Sequence, residues 1–148
     1  MRARVALTLV LLALIALVAI SRVFLLERGA NTPYLSGRIV HLTVRVEKGS
    51  WEFVPDRLTL ARGDRFDVTV VNDDDIPHGF GSDEFKVLMD VPAGATKTTR
   101  MLHAKESGSF RFYCSVMCGE GIVATGTKKG DRRGHFDMEG TIVVESTP

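Results

Sequence analysis

The sequence predicts an all-β domain, an antiparallel β-sandwich of Greek-key type, behind one N-terminal transmembrane helix. Three observations predict it. Val40, Leu42, Val44 and Val46 alternate with His41, Thr43, Arg45 and Glu47, and this period of two marks a half-buried strand. Gly, Pro and Asp punctuate further stretches of this kind at regular spacing. No segment after residue 30 carries a helical period. Seven or so short strands in about 115 residues fit a sandwich.

The N-terminal span comes first. Residues 5–20 hold no charge, Arg2 and Arg4 precede them, and apolar character resumes at Val23 after Ser21-Arg22. A helix through Leu26 would be roughly 33 Å long, enough to cross a bilayer. Arg22 would snorkel at one face. The N-terminal positive charge favours a cytoplasmic start and exports everything beyond residue 29. Residues 1–29 therefore read as a membrane anchor or uncleaved signal. The rival is a cleaved signal peptide cut near Ala19-Ile-Ser21. Either way the domain is extracytoplasmic, held on the periplasmic side of a cell (inner) membrane if the span is retained. No acidic residue lies inside the span, so it offers no proton-carrying carboxylate.

Residues 30–37 form a short linker, Asn31-Thr-Pro-Tyr-Leu-Ser-Gly37, and residues 38–148 form the sandwich. The first strand places His41 on its polar face, as a solvated histidine. Lys48-Gly-Ser turns the chain into Trp51-Glu-Phe53-Val-Pro55, Leu58 to Leu60 extends again, and Arg62-Gly-Asp is a second turn. Phe66, Val68 and Val70 alternate and end in Asn72-Asp-Asp-Asp75. Further strands are expected at 85–91, 96–102, 110–114 and 141–145.

Charge excludes one class of partner. The formal net charge is +1, and no region is basic enough for nucleic acid or resembles a nucleic-acid module. Two cysteines are too few for a disulfide scaffold, which gives metal or redox use equal weight.

Both cysteines lie in Cys114-Ser-Val-Met-Cys118, followed by His135 and Met138. Two thiolates, an imidazole and a thioether select copper over magnesium, calcium or manganese. Cys114 ends an alternating strand, and Cys-x-x-x-Cys wraps a tight loop in which both sulfurs can converge. His135 and Met138 directly precede the last strand, so sandwich topology brings them to the same pole as His78. Each cysteine could then bridge two coppers, with one histidine terminal on each metal and Met138 and the Val116 carbonyl as weak axial ligands. Spreading one electron over two rigidly held metals suits electron transfer, and Phe80, Phe112, Val116 and Met117 would keep the surround dry.

These motifs resemble the CuA-bearing cupredoxin domain of subunit II of haem–copper cytochrome oxidases, in its short single-anchor form. Asp75-Ile-Pro-His78-Gly-Phe80 resembles the family's first-histidine loop. Met89-Asp-Val-Pro92-Ala-Gly94 is similar to its Asp-x-x-Pro-Gly turn, one residue longer. Gly108-Ser-Phe-Arg-Phe-Tyr-Cys114 resembles the strand entering the copper loop, and Met138-Glu-Gly-Thr-Ile-Val-Val-Glu145 the closing strand. The resemblance covers residues 50–146. It implies a dinuclear copper A centre held by His78, Cys114, Val116 (through its carbonyl), Cys118, His135 and Met138. It also implies that Trp51, or Phe53 near it, forms the aromatic region where electrons enter. The implied role is an electron-relaying subunit rather than a catalyst in its own right. It would accept electrons from a cytochrome c or small copper protein and pass them to the oxidase catalytic subunit.

The chain departs from that family twice. Sixteen residues rather than three separate Cys118 from His135, which makes residues 122–134 a 13-residue insertion. Lengthening a flexible connection from about 3 to about 16 residues costs only roughly 1.5 kcal/mol, small beside metal-binding energies of order 10 kcal/mol. Its Gly, Lys and Arg content reads as a solvated, outward loop. Lys128, Lys129, Arg132 and Arg133 make it a candidate docking element for an acidic partner, or a cover over the copper pole. Val116 stands where many relatives carry a glutamate, which keeps a carbonyl ligand and removes a link to magnesium.

Other functions compete for the same residues. A mononuclear copper electron carrier would use His78, one cysteine, His135 and Met138, which leaves the second cysteine without a purpose. A thiol-redox copper chaperone needs helices that this chain lacks. A structural zinc site meets the ligand count with unusual spacing. A non-redox exported sandwich would join Cys114 and Cys118 in a disulfide. His103 sits in no comparable context and reads as a surface residue.

Overall fold

The computed structural model describes Leu14, Leu17 and residues 37–146. Leu14 and Leu17 are helical. The rest of the expected anchor, with most of the linker, lies outside the described residues. Among the described residues no helix is long and apolar enough to cross a membrane.

Eleven strands build the domain. In chain order they are β1 (Ile39–Val46), β2 (Arg57–Ala61), β3 (Arg65–Asn72), β4 (His78–Ser82), β5 (Val87–Val91), β6 (Thr96–Thr98), β7 (Leu102–His103), β8 (Gly108–Tyr113), β9 (Glu120–Ile122), β10 (Arg132–Gly134) and β11 (Glu139–Glu145). One sheet pairs β1 with β3, and β3 in turn with β6 and β7. The other has the order β2-β11-β8-β4-β5, and β9 pairs with β10 as a hairpin.

The expected wholly antiparallel pairing is corrected. β1 and β3 are parallel, as are β2 and β11. The reason is the crossover: β2 leaves the first sheet for the second, so the chain returns to lay β3 beside β1 in the same direction. The expected strand over 96–102 also divides into β6 and β7.

Alternation works as expected where one face is dry. Val44 and Val46 of β1 meet Phe66, Val68 and Val70 of β3, all fully buried. The second sheet answers with Leu58, Leu60, Phe80, Phe112, Ile142 and Val144. Removing each of these large side chains from water contributes about 1.5–3 kcal/mol. Phe53, Phe80 and Phe112 form a ring cluster at the centre, with centroids 5.2–6.2 Å apart. A backbone pair between Arg45 and Val54 fastens residues 51–54 to β1, at 2.8 Å in both directions. His41 lies on the solvent face, where its Nδ1 is 2.9 Å from Asp67 Oδ2.

The insertion differs from its expected solvated form. Its first and last residues form the β9–β10 hairpin, and Val123 is 1% exposed within the core. Four of its 13 residues are Lys or Arg, and the buried Val123 anchors it.

Candidate metal centre

Asn72, at the end of β3, shapes the approach to the site. Its buried amide nitrogen donates to the carbonyls of Ile76, Val91 and Pro92, and its Oδ1 accepts from the Asp74 amide. Asp74 is thereby held beneath His78, the first residue of β4, with Oδ2 3.1 Å from Nε2. An Nε2–H donated to this carboxylate leaves Nδ1 free to face the interior.

β8 delivers Cys114 from the neighbouring strand position. The Cys114 amide donates to the Met138 carbonyl at 2.9 Å, which ties the cysteine loop to the start of β11. β4 comes very close here. A Cβ at Gly79 would stand 2.2 Å from Ser115 Oγ and 3.0 Å from the Ser115 amide. Glycine lets the Gly79 N–H reach Cys114 Sγ at 3.4 Å. On the other side, a 3-10 turn at His135–Asp137 presents His135, whose amide donates to the Gly119 carbonyl at 2.9 Å. Asp137 Oδ2 accepts from the Gly134 amide and fixes that turn.

The six residues expected as ligands converge. Cys114 Sγ and Cys118 Sγ are 3.5 Å apart, and both cysteines are free. Cys114 Sγ lies 4.0 Å from His78 Nδ1 and 3.2 Å from the Val116 carbonyl oxygen. Cys118 Sγ lies 3.9 Å from His135 Nδ1 and 3.8 Å from Met138 Sδ. Each sulfur thus has one imidazole and one weaker donor of its own. A tetrahedral metal bonded at about 2.3 Å to sulfur and about 2.0 Å to nitrogen needs donors roughly 3.5–3.8 Å apart. The donor set fits a soft metal in both composition and spacing.

Electrostatics favour the ligating thiolate at Cys114 and the protonated forms of Cys118 and His78, so metal binding would displace protons from those two. The Cys114 thiol is pulled from 9.0 down to about 3, first by the Cys118 hydrogen bond and, against burial, by His78 and the Gly79 amide. Cys118 is pushed up, because it keeps the proton between the two sulfurs. Burial alone would lower His78, but hydrogen bonds to Cys114 and Asp74 outweigh it and raise the imidazole above 6.5.

The remaining expected residues divide. Trp51 is 8% exposed, and its ring meets the His78 ring edge-on with centroids 6.2 Å apart. Phe53 is 1% exposed inside the aromatic core. Lys128, Lys129 and Arg132 are exposed, Arg132 paired with Glu120, while half-buried Arg133 donates to the Asp137 carbonyl. His103 is half-buried beside Arg65. Sequence reasoning missed Asn72 and Asp74, read only as the polar end of a strand. The available signal was an acidic residue four positions before the histidine.

Comparison with known proteins agrees with this fold. The model of the cupredoxin-like domain family matches residues 9–124. A plastocyanin from Sambucus nigra is 27% identical over 93 residues, which covers 57% of this chain and 94% of that protein. A chain in the cryo-EM structure of a heme-copper terminal oxidase dimer is 16% identical at a TM-score of 0.53, covering 98% of this chain and 100% of that one. Dithionite-reduced auracyanin from Roseiflexus castenholzii is 13% identical at a TM-score of 0.52, covering 76% and 100%. At these identities the two solved structures share the fold.

Proposed function

From the premise that this chain belongs to the cupredoxin-like domain family, we propose that it relays electrons through a dinuclear copper A centre. The observation that carries the reading is the paired arrangement around two unbonded sulfurs. His78 and Val116 attend Cys114, while His135 and Met138 attend Cys118. Two metals would give all six donors a place. A single four-coordinate metal would leave two of the six donors without a role.

Bound copper supplies a one-electron couple, delocalised over two ions. The protein supplies the rest. Asp74 holds His78 in one tautomer and orientation, and the 3-10 turn holds His135. Phe80, Phe112 and Met138, each no more than 1% exposed, keep water out and limit reorganisation around the ligands. The β4–β8–β11 frame fixes ligands from three chain segments, so the geometry need change little on reduction.

The proposed setting is a haem–copper oxidase, with a cytochrome c or small copper protein as donor and the oxidase catalytic subunit as acceptor. Residues 1–29 would anchor the domain on the extracytoplasmic side of the membrane. The full-length likeness to a chain of a heme-copper terminal oxidase supports that setting at the level of fold.

Metal analysis with EPR tests the centre. Two coppers per chain sharing one unpaired electron are expected. One copper with a mononuclear signal replaces the proposal with the single-metal carrier. A copper-free chain with a Cys114–Cys118 disulfide sinks both.

A further inference from the structure

The insertion holds on to the body of the domain at five points. Val123 is buried in the core, the Ala124 amide donates to the Gly49 carbonyl at 2.8 Å, and Thr125 Oγ1 donates to the Lys48 carbonyl at 2.9 Å. Both the amide and the hydroxyl of Thr127 donate to the Glu52 carboxylate at 3.3 Å. All of these partners flank Trp51.

Trp51 is unusual in two ways. Its φ of 52° is left-handed, a conformation that is unfavourable for a bulky residue unless its surroundings enforce it. Gly121 of β9 lies flat on its indole: a Cβ there would be 3.4 Å from Cζ2 and Nε1. Gly119 is placed similarly, 3.8 Å from Cη2. The indole is therefore sandwiched between the hairpin and the His78 ring.

The geometry points to the 120–134 hairpin as a strap that holds Trp51 against His78 and closes that side of the metal site to protein partners. This deepens the copper reading and rests on it for its functional meaning. The strap leaves the other imidazole uncovered. His135 is half-buried, its ring 4.9 Å from that of Phe136, and Phe136 and Met117 are 79% and 74% exposed. The insertion thus covers one histidine of the pair and leaves the other half-buried. A solvated loop would cover neither.

Trp51 is the one tryptophan in the chain, so its fluorescence reports the strap directly. The test compares acrylamide quenching in the metal-free full chain with that in a chain lacking residues 122–134, in which Gly121 joins His135. A milder variant, Glu52→Ala with Thr125→Ala, cuts three of the five fastenings without shortening the chain. A several-fold rise in the quenching constant is expected for the deletion and a smaller rise for the double variant. Unchanged quenching in both overturns the strap. Copper loading then separates the two readings. A retained copper EPR spectrum in the double variant, which leaves Arg133 and the His135 turn in place, fits a cover, and an altered one overturns it by making the hairpin part of the ligand frame. No copper in either chain sinks the proposed function and leaves the quenching result standing.

Discussion

Asp74 Oδ2 lies 3.1 Å from His78 Nε2, and both side chains are buried. The carboxylate is held in turn by the Asn72 knot, so the imidazole direction traces back to the end of β3. Asp74→Ala should lower copper affinity about 10- to 100-fold, the usual cost of losing a partner behind a ligating histidine. Asp74→Asn, which keeps an acceptor oxygen, should lose less. Competition against a copper chelator measures both. Equal affinity for wild type and Asp74→Ala would remove Asp74 from the site.

Gly79 makes a sharper prediction, because its cause is steric. The nearest obstacles to a Cβ are Ser115 Oγ, which can swing away, and the Ser115 amide, which cannot. Gly79→Ala should therefore push the cysteine loop from β4, at a cost of about 1–3 kcal/mol. Denaturant unfolding of the metal-free chain reads that cost, and loss of the Gly79 N–H contact to Cys114 should also shift the copper spectrum. A neutral substitution would mean that the loop yields freely.

Much of this was legible in the sequence, and the failures have physical causes. β1 and β3 alternate because one face of each is dry, so Val44, Val46, Phe66, Val68 and Val70 announced themselves. β4 did not, since all five of its residues are buried and two are glycines chosen for close approach rather than burial. The parallel pairs depend on which sheet β2 joins, a long-range choice that no local pattern carries. The convergence of His78, Cys114, Val116, Cys118, His135 and Met138 was readable from residue type and order. Asp74 was not, because a run of three aspartates looks like the polar end of a strand until the fold buries one of them. Val123 was masked by the Lys and Arg residues later in the insertion.

The pH dependence of the metal-free chain follows from three shifted groups. Cys114 is deprotonated in the folded chain down to about 3, while an unfolded thiol keeps its proton until about 9. The unfolded state therefore binds more protons, and stability should rise with pH above 3. His78 acts in the opposite sense. With its folded value raised, its contribution is complete below 6.5 and is lost as pH climbs through that folded value, so the rise should flatten there. Above 9 Cys118 keeps a proton that the unfolded chain loses, and stability should fall. Denaturation midpoints across pH 4 to 10 check the shape, and Cys114→Ser should remove most of the acid-side rise. An unchanged profile in that variant would mean that the thiolate does not form.

The basic face of the insertion makes the last prediction, on partner charge. Its four cations are not equivalent. Arg132 pairs with Glu120, and Arg133 donates to the carbonyl of Asp137 in the turn that carries His135. Among the described residues no ion pair involves Lys128 or Lys129, and both are exposed. Charge at an interface rim acts mainly on association rate and its salt dependence. Lys128→Gln with Lys129→Gln should therefore slow electron uptake from an acidic donor at low salt and flatten its dependence on ionic strength, with the copper spectrum unchanged. Arg133→Gln should also disturb the spectrum, because it loosens the His135 turn. Stopped-flow reduction over a range of salt concentrations distinguishes the two effects. If the double lysine variant keeps the wild-type rate and slope, the insertion acts through its grip on Trp51 rather than its charge.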